Sequence, residues 1–381
     1  MTTRRLTMGA ILLVTFVIFA GTFFFLRSPT PVIEIKAEPL LDVGPITITN
    51  TLFTSWVVML TLFALVFWLT RRQDLTPRGK QNVIEAVIEA IYNLIVSVAG
   101  EKNGRRFFPV VATFLIYITF ANWMALLPIF NAIGYFEPLE PEHKVLERTA
   151  AFDKAGGLYL VMPGARTIDI EGEVDEAACA GLEEEAHEAC LVHEREKLIE
   201  ASLVNEKGEP KLSEGEQAGV LVPFFRSINT DLMTPASFAI MSAIFVEFWG
   251  ISTLGFLTYG SKFFNFGRMV RGLASFNLGE LFNGFIEAFV GLLELAAELA
   301  RLVSFSFRLF GNMLAGEILL LVMTFLVPTV VPLAFYGLEV FVGLIQAFIF
   351  GMLTLVFGVM AVAPPHGEAH GEHGEAHAPA H

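Results

Sequence analysis

The sequence predicts an all-α integral membrane protein with about six membrane-crossing helices, the last two too long to cross upright, and an acidic soluble insert. Three observations predict this. Hydrophobic residues make up 54% of the 381, with 37 Phe, while charged residues are 17%, below the roughly 25% of soluble domains. Several apolar runs exceed the ~18 residues that span a bilayer. The net charge of −14 is concentrated, since residues 136–217 hold 21 Asp and Glu against 8 Lys and Arg. The lipid bilayer is therefore a partner. No basic patch invites nucleic acid. There is no CxxC, HExxH or phosphate-cradling loop, and no nucleophile beside a base, so no cofactor, no metal and no covalent chemistry are expected.

Residues 1–50 read as a membrane anchor and an outer segment. Met8–Leu26 is 19 largely apolar residues. It is either an uncleaved helix or a cleaved signal peptide. Its length, its Phe content and the lack of a clear A-x-A site favour the helix. Arg4 and Arg5 would hold its start in the cytoplasm. Ser28–Asn50 is strand-like and punctuated by proline.

Residues 51–135 hold the next two spans, Thr51–Thr70 and Phe107–Pro128. Between them lie Arg71, Arg72, Arg78, Lys80, Lys102, Arg105 and Arg106, a cluster that marks a cytoplasmic loop. Within it Gln81–Ala99 is amphipathic, with Val83, Val87, Ile91 and Ile95 four residues apart. It lies along the membrane surface or forms a soluble helix.

Residues 136–222 are the acidic insert, placed outside by the alternation of spans. Asp175–Val204 reads as helix. On an unbroken helix Cys179 and Cys190 would sit roughly 16 Å apart, whereas a disulfide needs Cα atoms within about 7 Å. A bridge therefore requires a turn between them, at Gly181 or Glu183–Glu185. Whether they pair is left open, although an oxidising exterior favours it. The insert is either a solvated cap or a docking site.

Residues 223–363 carry the polar groups of greatest interest. Asp231 precedes the span Pro235–Leu257, where it feeds ions inward or caps the helix. Glu247 falls mid-span, as an ion carrier or as a structural hydrogen bond. Lys262, Arg268 and Arg271 mark a second inner loop. Leu281–Leu326 would reach about 69 Å as one helix against a core near 30 Å, so it is tilted, kinked or divided. Leu333–Ala363 is also overlong. Residues 364–381 are a His-rich tail that reads as disordered and polar.

In Ser304–Glu317 one arginine, Arg308, lies in this apolar run. A cation at bilayer depth is expensive and usually functional, and arginine keeps its charge there. At 100° per residue it shares a stripe with Glu294, Arg301, Ser304, Gly311, Asn312 and Ala315, while Glu317 points nearly opposite. A structural alternative pairs Arg308 with Glu294 or Glu298.

The run Arg308-Leu309-Phe310-Gly311-Asn312-Met313, then Ala315-Gly316-Glu317, with Gln346-Ala347-Phe348-Ile349-Phe350 in the last segment, resembles the signature of subunit a of the F-type ATP synthase. Gly44–Asn50, Arg105–Pro109 and Asn229-Thr230-Asp231 are also similar to that family. The resemblance implies long, strongly tilted last helices. It implies a non-catalytic stator with two offset half-channels, which load and unload the carboxylates of a rotating c-ring. Arg308 would be the ion-transfer group. Glu317, Asn312, Glu339, Gln346 and Asp231 would line the outer path, and Glu294, Ser304 and Arg301 the inner one. Many relatives have histidine where Glu339 stands, so the outer groups differ here. The implied partners are the c-ring, subunit b and the rest of the ATP synthase. The implied site is the cell inner membrane, with both termini cytoplasmic. Two rival classes, a self-contained anion transporter and a structural scaffold, lack an internal repeat and an account of the motif, respectively.

Overall fold

A computed structural model describes residues 37–44, 46–71, 79–138, 148–153, 159–160, 167–170, 179, 184–204, 210–212, 216–263, 270–271, 273, 278–327 and 331–363. Met8–Leu26 and the His-rich tail lie outside the described residues. Five described helices are long and apolar enough to cross a bilayer. They are α1 (Asn50–Thr70), α2 (Lys80–Ala125), α4 (Met233–Leu254), α6 (Leu278–Leu326) and α7 (Val331–Val362). Between them stand α3 (Glu184–Ser202) and α5 (Phe256–Phe263). The overlong apolar run is a single helix, 49 residues in α6. Two further expectations are met in outline. The strand-like stretch before α1 is a hairpin of β1 (Pro39–Val43) and β2 (Ile46–Thr49), turned at Gly44 with φ 63°.

The loop and span at residues 81–128 run as one helix, α2, broken at Gly100 with φ 73° and ψ 164°. Only glycine takes that conformation without strain, so the amphipathic segment and the span meet at a bend. The bend brings Gly104 against Val96 so closely that a Cβ there would lie 2.9 Å from the valine side chain. Of the four-residue stripe, Ile91 and Ile95 are buried while Val83 and Val87 face outward. The segment thus packs on the protein over its second half only.

Within the insert the sequence pointed to helix over Asp175–Val204, and the described residues add a sheet that it did not announce. β3 (Ile133–Pro138), β4 (Arg148–Asp153), β5 (Tyr159–Leu160), β6 (Thr167–Asp169) and β7 (Glu216–Pro223) form an antiparallel sheet in the order β5-β3-β7-β4-β6. These strands run from two to eight residues, and most are too short to give a clear periodic signal. β3 leads in and β7 leads out, and they pair from Gly134↔Pro223 to Pro138↔Gly219. Gly134 is required there, because any side chain would strike the Val222 backbone. The helix expected over Asp175–Val204 is α3, beginning at Glu184. Cys179 therefore precedes it, and joins Cys190 in a disulfide with Cα atoms 5.8 Å apart.

The chain divides into two units, each discontinuous in sequence: residues 1–61, 120–231 and 312–343, and residues 62–119, 232–311 and 344–381. In the first, polar side chains make the joints. Thr54 Oγ1 donates to Asn50 O at 2.8 Å and itself accepts from the Arg226 amide at 3.3 Å. Asn229 Nδ2 donates to Asn122 Oδ1 at 2.6 Å, and Asn122 Nδ2 to Gly343 O at 3.1 Å. Trp123 Nε1 donates to Val340 O at 2.9 Å.

The second unit holds the main apolar cluster, built on Ile91, Ile95, Phe107, Val111, Val246, Trp249, Tyr259 and Leu355. Lipid tails are as apolar as leucine, so helices in a bilayer adhere through close packing instead of water exclusion. Phe107 and Trp249 stack with centroids 4.2 Å apart, and Gly358 lets the Trp249 ring come up against α7. Arg106 donates to Thr253 Oγ1 at 2.8 Å and to Ser252, which ties α2 to the end of α4. Lys262 of α5 donates to Ala361 O and Ala363 O, each at 3.1 Å. It thus caps the C-terminus of α7, where a cation suits the helix dipole. Burial holds the Lys262 ammonium below the usual lysine range, against the pull of Glu294, Glu298 and Glu247.

Candidate ion-transfer site

In the second unit Arg308 is exposed, as are Glu294, Ser304 and Gly311 on the same helix. No hydrogen bond or ion pair reaches Arg308 among the described residues. The structural alternative paired Arg308 with Glu294 or Glu298; among the described residues Glu298 pairs with Arg301 instead, Nη2 2.8 Å from Oε1, and Glu294 is exposed. Arg301 also lies over the Phe357 ring, 4.1 Å from its centroid. Arg308 lines a small crevice with Gln346, Phe305, Leu309, Ile349, Phe350 and Leu353. The two motifs of the sequence thus meet at one place. Phe305 and Phe350 hold it, with rings 5.4 Å apart. Arg308 is exposed beside largely apolar side chains.

In the first unit a cleft of about 1050 Å³, open mouth included, is lined by polar and apolar groups, among them Asn122, Asn131, Ser227, Glu317, Tyr336 and Glu339. Asn131 adopts φ 55°, a left-handed conformation that asparagine tolerates better than most residues. Its Nδ2 donates to Glu317 Oε1 at 2.6 Å. The other Glu317 oxygen is buried and has no hydrogen-bond partner among the described residues. Glu339 is only 8% exposed. It fits because residue 316 is glycine, since a Cβ there would meet the Glu339 carboxyl group.

The structure therefore separates the residues grouped under the outer path. Glu317 and Glu339 share the cleft. Gln346 lies at the Arg308 crevice instead. Asn312 is exposed and does not line the cleft. Asp231 accepts from Thr51 Oγ1 at 2.9 Å through Oδ2, fastening the start of α1. Of the inner group, Glu294 and Ser304 are exposed, while Arg301 is held by Glu298.

Sequence reasoning missed Asn122, Asn131 and Tyr336 in the cleft. Asn122 stands within an apolar run and was detectable as a polar residue at membrane depth. Tyr259 was missed too. It is buried in the apolar cluster of the second unit, just beyond the turn at Gly255 with φ 84°.

These features define a class: a multi-pass helical membrane protein with an exposed arginine on a membrane helix and carboxylates lining a polar cleft. The family model "ATP synthase A chain" matches residues 52–358. Among similar proteins, the "ATP synthase subunit a" of Moorella thermoacetica is 23% identical over 324 residues, 85% of this chain and 95% of that one. The protein of the same name from Helicobacter acinonychis is 24% identical over 317 residues, 82% and 91% of the two chains. One from Helicobacter pylori is 25% identical over the same length. The chain belongs to the ATP synthase A chain family. It is a non-catalytic, proton-translocating subunit of the membrane sector of the ATP synthase, and a multi-pass membrane protein.

Proposed function

We propose that this chain is the stator half of the proton path, with Arg308 as the ion-transfer gate between two half-channels that never join. The observation that carries this is Arg308 itself, an exposed cation on a membrane helix with no partner among the described residues. Holding a charge at that depth is costly. The cost is offset if a carboxylate from another chain passes it, and the c-ring supplies one per subunit. Arg308 lowers the proton affinity of a carboxylate facing it, because an opposite charge nearby favours the ionised form. It also repels a proton that would leak straight through.

The Glu317–Glu339 cleft serves the outer path, with Asp231 near its mouth and Asn312 and Gln346 handing the proton on. Glu294, Ser304 and Arg301 serve the inner path. An elementary charge moved through 100 mV yields about 2.3 kcal/mol, so several transfers combine for each ATP made elsewhere in the complex. Subunit b anchors the chain against rotation. The protein resides in the cell inner membrane with both termini cytoplasmic, a reading that the Lys and Arg clusters of its loops support.

ATP-driven proton pumping in inverted vesicles tests the gate. Arg308→Ala abolishes pumping while subunit c still co-purifies. Retained pumping in an intact complex would overturn the reading and return the transporter class to favour.

A further inference from the structure

Asn131 lies outside the membrane helices, in the turn between α2 and β3, and its side chain reaches back to one of them. Its Nδ2 donates to Oε1 of Glu317 on α6 at 2.6 Å. Its backbone is fastened independently of that contact. The Asn131 amide donates to Phe225 O and the Phe224 amide to Ile133 O, each at 2.9 Å, so the pairing of β3 with β7 runs on to this residue. The Phe130 and Phe225 rings pack alongside, with centroids 6.0 Å apart. The turn is thus held without the Asn131 side chain. Asn131 is also the one non-glycine residue with positive φ among the described residues. Glycine would take that conformation at lower cost, and other residues kept in it cluster at functional sites.

A clasp built only to tie the turn to α6 would satisfy both carboxyl oxygens, because buried polar groups are nearly always paired. Here Glu317 Oε2 is buried with no hydrogen-bond partner among the described residues. The other titratable groups lining the cleft are Glu339 and Tyr336, both from α7, while Asn122, Asn131 and Ser227 from the remaining walls are neutral. One oxygen of the carboxyl group is therefore occupied by a fixed donor, and the other is left to bind a proton.

We infer that Asn131 is a positioning residue of the outer half-channel: by occupying Oε1 it fixes the Glu317 carboxyl group and leaves Oε2 as the oxygen that takes and gives the proton. A hydronium ion from the outer side gives its proton to Oε2, which forms one O–H bond and leaves water. That bond breaks as the proton passes on to a carboxylate of the ring. Glu317 returns to its ionised form, still held by Asn131, and no electron is transferred. This rests on the stator reading. It adds to that reading a residue from outside the membrane helices, set in place by the two strands that bracket the acidic insert.

The test is ATP synthesis by the intact complex in inverted vesicles, where the lumen is the outer side. Lumenal pH is varied at fixed external pH, and a potassium diffusion potential keeps the total driving force constant. Subunit c content is the assembly control. Asn131→Gly suits the positive φ and removes the side chain. It lowers the rate roughly fivefold, the scale of one lost hydrogen bond, and shifts the dependence on lumenal pH while the dependence on external pH stays as in wild type. Asn131→Asp puts an acceptor where the donor was and lowers the rate further at neutral lumenal pH. Acidifying the lumen protonates that carboxyl group, which can then donate, and brings the rate back toward wild type. Wild-type rates and lumenal profiles in both variants would overturn the inference. So would an equal fall at every lumenal pH, or loss of subunit c from both, either of which would make Asn131 a structural tie. Arg308→Ala is run alongside. If it stops synthesis while the Asn131 variants match wild type, only the positioning role fails. If Arg308→Ala leaves synthesis intact, the stator reading itself fails.

Discussion

Arg308 and Glu317 are nine residues apart on one helix and lead opposite lives. The arginine is exposed and the glutamate is held by Asn131. Spacing alone predicted that divergence, because nine residues advance a helix by 900°, half a turn out of phase. What spacing could not supply was the partner of each side chain. Glu339 illustrates the difference. Its presence was legible, but its accommodation depends on Gly316 of the neighbouring helix. Gly316→Ala is expected to push the Glu339 carboxyl aside and to cut ATP-driven pumping severalfold in an assembled complex. Adding Glu339→Asp, one methylene shorter, is expected to restore much of the rate. A failure of the second substitution to compensate would show that Gly316 matters for another reason.

At the level of elements, long apolar helices were the most legible part of the chain, because a bilayer admits few other structures. The insert was the least. Strands of two to eight residues show too few alternations to reveal a face, and the acidic composition masked them. The disulfide shows the same limit from the other side. Spacing set the condition, a break before Cys190, and the structure meets it by starting α3 at Glu184. A bridge closing so short a loop stabilises by about 2–3 kcal/mol. Cys179→Ser is therefore expected to make the insert markedly more sensitive to limited proteolysis, read by the rate at which the intact chain disappears. Pumping in membranes kept from protease is expected to stay near wild type.

For the whole molecule, the orientation proposed from the basic loops has a direct test. Protease added to right-side-out vesicles is expected to cut within residues 139–215 and to spare the loop at residues 71–79. Inverted vesicles are expected to give the reverse. Cleavage of both in one preparation of sealed vesicles would contradict the topology. Function was legible because the two motifs are short and local. The polar cleft was not, because its walls come from α2, the segment before α4, α6 and α7, and only folding brings them to one place.

The pairing of β3 with β7 has a consequence for how such a chain can change. Its partners lie one strand spacing apart, about 4.8 Å, so the helices experience everything between them as though it were a hairpin turn. Residues 139–215 can be lengthened, trimmed or exchanged for another module without asking a single membrane helix to move. The chain carries a grafting site between β3 and β7, where sequence is free to drift at its own pace while the ends that join the helices stay fixed.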